Sequence, residues 1–148
     1  MILNRKLAPF LLLMILSACA PERAAEPPLD AASNLVFFDK DQASLSDKSI
    51  VTIKRFAENR KRVLEAHIDK NRLGARIDVV GFADGSGSDI YNMALSLRRA
   101  NAVKAALVNE GVPSSAIVVI AKGATQPLVA TPDGVREGQN RRVELVLH

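Results

Sequence analysis

GFADGSGSDIYNMALSLRRA, residues 81–100, is the stretch on which the fold reading turns. It carries the chain from an apolar run, through a Gly/Ser loop, into a helical period. Just before it, Ile77 and Val79 alternate with Asp78 and Val80 in ARIDVVGF, the pattern of a strand. Gly81 marks a close backbone approach or a bulge. Gly85 and Gly87 are free to take positive φ. Ser88 or Asp89 caps a helix running to about Glu110, which Gly111 and Pro113 then stop. Met93, Leu97, Ala100, Val103 and Leu107 form its expected core stripe. Asn92, Ser96 and Arg99, at i, i+4 and i+7, share a polar face expected opposite that stripe.

Working outward, NLVFFD (34–39) reads as a strand with aromatic and β-branched content. KDQASLSD is a turn region in which Ser46 is a good N-cap and Asp47 complements the helix dipole. The spacing predicts a long helix over 47–71, buried through Ile50, Ile53, Ala57, Leu64 and Ile68 and stopped by Asn71 and Gly74. Lys54, Arg55, Arg60, Lys61 and Arg62 mostly fall on its other faces, a solvated surface or a contact for an anionic polymer. Downstream, AIVVI is a buried strand. AKGATQPLVATPDGVREGQN is a long irregular segment of the kind that often carries function. RRVELVLH closes the chain as a strand with Val143, Leu145 and Leu147 on one face. The order β-α-β-α-β-β, with helices that must cover a sheet, predicts an α+β two-layer sandwich.

The front of the chain reads differently. MILNRK is basic, and the ten-residue apolar LAPFLLLMIL is too short for a permanent span but suits a signal-peptide core. Leu16-Ser17-Ala18-Cys19 resembles the bacterial lipobox, which makes Cys19 an expected lipidation site and anchors the chain to a membrane. Ala20 is compatible with the outer membrane. The organisation expected is a signal peptide over 1–18, an Ala/Pro-rich tether over 19–33 and a folded domain over 34–148. Cys19 is the only cysteine among the 148 residues, so no disulfide forms within the chain. Loss of Arg5 and Lys6 with the signal takes the 20 basic side chains to 18, against 16 acidic, an excess too small to imply nucleic-acid binding.

The chemistry concentrates at the quoted loop. Asn92 to Arg99 spans about 10 Å of helix axis at roughly 1.5 Å per residue. Helical side chains lean towards the N-terminus, so Arg99 reaches back towards Asp84. Either the two pair with each other, or they stand apart and hold a zwitterion, Asp84 accepting from an ammonium and Arg99 pairing with a carboxylate near the helix N-terminus.

Three motifs, Gly81 to Gly87, Tyr91 to Ala100 and Asn140 to Glu144, resemble in order and spacing the OmpA C-terminal-like domain shared with the peptidoglycan-associated lipoproteins. The resemblance covers about residues 34–148. It implies a mixed sheet with its helices on one face, and binding to the diaminopimelate residue of peptidoglycan stem peptides. The family's binding aspartate falls on Asp84, its binding arginine on Arg99, its helix asparagine on Asn92. Arg141 falls on a supporting arginine, whose plainer role is an ion pair with Glu144 or a bond to a loop carbonyl. Asp39 edges the pocket or is a plain turn acid. Many members carry Thr where this chain has Ala83, so a hydroxyl beside the pocket is lost. The implied location is the periplasm, with the lipid in the outer membrane. The alternative is an adaptor whose main partner is an envelope protein of a Tol-Pal, secretion or motor-type complex. An enzyme is not expected: G-x-S-x-G is absent, His67 and His148 lie far from Ser86 and Ser88 in sequence, GSGSDI lacks the third glycine of a dinucleotide fingerprint, and no residues have metal-ligand spacing, so neither cofactor nor metal is implied.

Overall fold

The computed structural model describes residues 34–66 and 76–148. The leader, Cys19, the tether and residues 67–75, with His67, Ile68, Asn71 and Gly74, lie outside the described residues.

The elements are β1 (Leu35–Phe37), α1 (Asp47–Ala66), β2 (Ile77–Gly81), α2 (Asp89–Asn109), β3 (Ile117–Ala121) and β4 (Arg142–Leu147). They form one four-stranded sheet in the order β1-β4-β2-β3, antiparallel except for the β2–β3 pair. The sheet is therefore mixed, as expected. β4 pairs with both β1 and β2, so the last strand lies inside the sheet beside the first, which forms its edge. Register aligns Val36, Val143, Gly81 and Ala121 in one row, and Leu145, Val79 and Val119 in the next. The side chains of these rows meet Ile53, Phe56 and Ala57 of α1 and Ala100, Val103 and Leu107 of α2 in one core, so both helices cover the same face. The reverse face carries Val118, Val146 and the Arg142–Glu144 pair at 2.7 Å, with the Arg142 guanidinium 3.9 Å from the Phe82 ring centroid.

Local signals account for the helix ends. Ser46 Oγ accepts from Ser49 N at 3.2 Å at the start of α1, and Ser88 Oγ accepts from Tyr91 N at 3.3 Å at the start of α2. Gly111, at φ 87°, lets the chain turn out of α2. Gly81 is required by proximity: a methyl there would collide with the Ser96 carbonyl and sit 3.2 Å from Ala100 Cβ. Ser96 locks this contact on its other side by accepting from Gly123 N at 3.0 Å.

The helix faces depart from the expected stripes. On α1, Ile53 and Ala57 are buried but Ile50 is exposed, while Phe56 and Arg60 are buried in its stead. On α2, Met93 and Leu97 are each 44% exposed, and the polar Asn92, Ser96 and Arg99 are buried. The C-terminal half of α2 lies over aliphatic strand interiors and buries Ala100, Val103 and Leu107. Its N-terminal half lies over strand ends, where backbone carbonyls have run out of ladder partners and need donors. The inward face is thus apolar at one end of the helix and polar at the other.

Gly81→Ala should cost about 1–3 kcal/mol of stability through overpacking against α2, read as a lower urea midpoint with an unchanged slope.

Candidate functional site

The site lies where β1 and β2 end and α2 and β4 begin. Asp84 stands in the loop that carries β2 into α2. Its Oδ1 accepts from Ser86 Oγ at 2.6 Å and Ser86 N at 3.2 Å, and its Oδ2 accepts from Arg141 at 3.1 Å. Burial pushes its pKa up, but the Ser86 and Arg141 bonds outweigh that and hold it below the ordinary 3.8. Arg141 is also tied to the end of β1, donating from Nε to the Phe38 carbonyl at 3.1 Å. Of its two plainer roles, the loop carbonyl is present; Glu144 is instead taken by Arg142.

Arg99 is 0% exposed. It does not bond to Asp84. Nε donates to Gln42 O at 2.9 Å, one terminal nitrogen to Phe82 O at 3.1 Å and the other to Asp39 O at 3.0 Å. The Phe38 ring centroid is 5.3 Å from its guanidinium carbon. A guanidinium has five N–H groups, so two remain once the three carbonyls are served. Burial, with Arg141 nearby, pushes its pKa down to about 10, against the partial support of Asp84 and Asp41. It is still charged at neutral pH. Of the two arrangements open at the sequence level, the acid and Arg99 therefore stand apart, but Asp84 is engaged by Arg141, and no edge of Arg99 is offered to solvent.

Asn92, 2% exposed, sits beneath the same loop and donates to Gly87 O at 3.3 Å. Gly87 needs its missing side chain for this, since a Cβ would lie 3.0 Å from Asn92 Oδ1. Neither Gly85 nor Gly87 uses positive φ. Asp39 contributes its carbonyl to Arg99, and its carboxylate makes no hydrogen bond among the described residues. The acid that faces the site is Asp41, at φ 56°, whose Oδ1 accepts from Tyr91 OH at 3.0 Å and whose Oδ2 lies 3.3 Å from Lys40 Nζ. The Tyr91 bond, then Lys40, lowers the Asp41 pKa, and the charge of Asp84 opposes this. Asp41 and Ser86 were missed in the sequence; the D-K-D spacing after the first strand was the available signal for Asp41. His148 bonds Asp78 at 3.0 Å and, among the described residues, makes no bond to Ser86 or Ser88.

Residues 37–141 match the family described as the OmpA family. The chain belongs to the OmpA family. An outer membrane protein of Gluconacetobacter diazotrophicus is 39% identical over 127 residues, covering 82% of this chain and 31% of that protein. The peptidoglycan-associated lipoprotein of Pseudomonas aeruginosa is 39% identical over 85 residues, 57% of this chain and 51% of that protein. The chain thus spans about a third to a half of the length of these curated relatives. Among solved structures, the peptidoglycan-associated lipoprotein of Burkholderia pseudomallei superposes with a TM-score of 0.66 at 29% identity, covering 79% of this chain and 92% of that one. The OmpA-family match includes Asp84, Asn92, Arg99 and Arg141.

Two outcomes follow from this geometry. Arg99→Ala should cost roughly 2–4 kcal/mol in chemical denaturation, because three carbonyls lose a charged donor. The depressed Asp84 pKa means its stabilising contribution is present above about pH 4 and lost as pH falls through the folded value. Asp84→Asn should therefore flatten the acid limb of the stability profile and leave its alkaline limb unchanged.

Proposed function

We propose that this chain binds peptidoglycan non-covalently by taking the free zwitterionic end of a stem-peptide diaminopimelate at Asp84 and Arg141, with Arg99 behind them. One observation carries the reading. At one strand-to-helix junction the Asp84 carboxylate is paired with Arg141, and a second guanidinium, that of Arg99, lies within its electrostatic reach with only backbone carbonyls as hydrogen-bond partners. Burying a cation without a carboxylate partner carries a desolvation cost that carbonyl dipoles offset only in part. The remaining positive charge, added to the N-terminal dipole of α2, suits a ligand carboxylate.

Diaminopimelate in an uncrosslinked stem carries an ammonium and a carboxylate on one carbon. Its ammonium replaces Arg141 on Asp84, and its carboxylate takes the freed face of Arg141. The exchange trades one ion pair for two and leaves the net charge of the site unchanged. Arg99 contributes through its field and by fixing the Asp39–Gln42 turn, rather than through the bidentate pair expected from sequence. No bond is made or broken, so the role is attachment and not turnover.

The names of the family's relatives support an envelope location. A lipid on Cys19 would hold the chain to the outer membrane, and residues 19–33 would link that anchor to a domain whose described part starts at Asn34. A wall contact of modest strength, added to a membrane anchor through one tether, raises the effective affinity of both.

Sedimentation with purified diaminopimelate-type peptidoglycan tests the site. Asp84→Asn and Arg141→Gln should each lose at least about tenfold in affinity while keeping the wild-type far-ultraviolet spectrum. Retention equal to wild type in both variants rejects the site. Release of reducing ends or peptides from the pellet would reject the non-enzymatic reading.

A further inference from the structure

α2 has a second apolar face, on the side away from the sheet. Ile90 and Val108 stand about five turns apart at 3.6 residues per turn, so they share one line along the helix. Met93, Ala94, Leu97 and Ala105 fall within roughly 60° of that line at about 100° per residue. All six are exposed, Ile90 by 86%. The line lies opposite the face centred on Arg99 and Val103, which meets the sheet. It runs for about 27 Å at 1.5 Å per residue, which is more than scattered surface exposure. Arg98 and Lys104 flank it on opposite sides, and neither side chain makes an ion pair or hydrogen bond among the described residues. Asp89, in the first turn, is the only acidic residue of the helix. α1 covers the same face of the sheet, and it exposes five basic side chains against three acidic ones. The helical layer therefore presents an aliphatic crest in a positive surround.

A second copy fits this crest badly. Full-length pairing of two α2 helices, parallel or antiparallel, brings Arg98 beside its own counterpart, because position 98 lies near the middle of Asp89–Asn109. A partner helix docks in a groove, whereas the crest of a helix packed on a sheet is convex. An anionic phospholipid surface needs no matching shape and supplies the missing negative charge. We propose that the crest of α2 lies against such a surface, with its aliphatic side chains at the headgroup–acyl boundary and Arg98 and Lys104 on the phosphates. No helix among the described residues is long and apolar enough to cross a membrane; the contact is that of a helix lying in the interface plane. The anchor proposed above keeps a bilayer close, since residues 19–33 span at most about 50 Å at 3.3–3.6 Å per residue. Only in that respect does the inference rest on the preceding reading. The Asp84 junction lies at the amino end of α2 and not on this line, so wall and lipid are held together.

Fluorescence of the full chain tests this. The sequence has no tryptophan, so Leu97→Trp places a single fluorophore on the crest. Vesicles of phosphatidylethanolamine and phosphatidylglycerol should move its emission to shorter wavelength, and acyl chains brominated near the headgroup should quench it. Val118→Trp, on the reverse face of the sheet, should show neither change; whatever the leader contributes is common to both variants. Adding Arg98→Glu and Lys104→Glu to Leu97→Trp should raise the lipid needed for half of the shift by at least about tenfold. Replacing phosphatidylglycerol by phosphatidylcholine should have the same effect. Equal quenching at positions 97 and 118, no quenching at 97, or a shift indifferent to the two charge reversals overturns the inference. A shift without lipid that grows with protein concentration overturns it in favour of a second copy. Asp84→Asn, which tests the wall site, should leave the lipid signal unchanged, so either reading can fail without the other.

Discussion

The structure depends on one guanidinium. Arg99 projects from the inward face of α2 into the end of the sheet and donates to carbonyls from the β1–α1 turn and from the end of β2. The Phe82 carbonyl is the buried one of the three, and there an acceptor without a donor would cost about 1–3 kcal/mol; Asp39 O also accepts from Gln42 N at 3.2 Å. Arg99 bonds all three with one rigid fork and so ties the β1–α1 turn to the end of β2. Carbonyl dipoles soften the burial of its charge without cancelling it, which is why its pKa falls to about 10 while its field still reaches Asp84 and Arg141.

A second arginine repeats the arrangement from the other side. β1 is only three residues long and sits at the edge of the sheet. A strand that short is held weakly by its own ladder. Phe38 N bonds Arg141 O at 2.9 Å, and the Arg141 side chain returns to Phe38 O. Between them Arg99 and Arg141 pin the exit of β1 and the turn that follows. The groups that give the site its charge are thus the groups that hold its walls, and the fold cannot relax away from the unpaired charge without losing its first strand. This coupling also separates the two arginines as experimental targets, since Arg141 is partly exposed at the surface of the pair whereas Arg99 is interior.

Much of this was legible in the residues. Strand and helix order, the serine caps at 46 and 88 and the close approach at Gly81 all come from short-range chemistry that a local pattern reports. The inward face of α2 was not legible from hydrophobic period, because that reading assumes that buried means apolar. Met93 and Leu97 satisfied the period and remain half exposed; Asn92, Ser96 and Arg99 broke it and are interior. What Arg99 bonds there, carbonyls 17 to 60 residues away, is set by topology and leaves no mark within the helix. The Arg141–Asp84 pair, 57 residues apart, was hidden for the same reason. The family resemblance singled out four residues that lie at one junction, but it could not assign which arginine meets the acid.

The same topology explains why the charge sits at this end of the sheet and not elsewhere. β2 and β3 run parallel, so the crossover between them leaves at the carboxyl end of β2 and enters α2 at its positive pole. The start of β4, antiparallel to both of its neighbours, delivers Arg141 to that same edge. A helix N-terminus and two guanidinium groups converge there, and Asp84 balances only part of that positive potential. Asp41 lies at the rim, already engaged by Lys40 and Tyr91, and its charge raises the cost of any second anion entering from its side. A simple anion would meet the full repulsion of Asp84 and Asp41 on its way to the arginines, and a simple cation would have to displace Arg141 with nothing to offer it in return. A group carrying both charges on one carbon would satisfy Asp84 and Arg141 in one step, so under the proposed reading the arrangement discriminates by the pairing of charges within a ligand more than by the sign of its net charge.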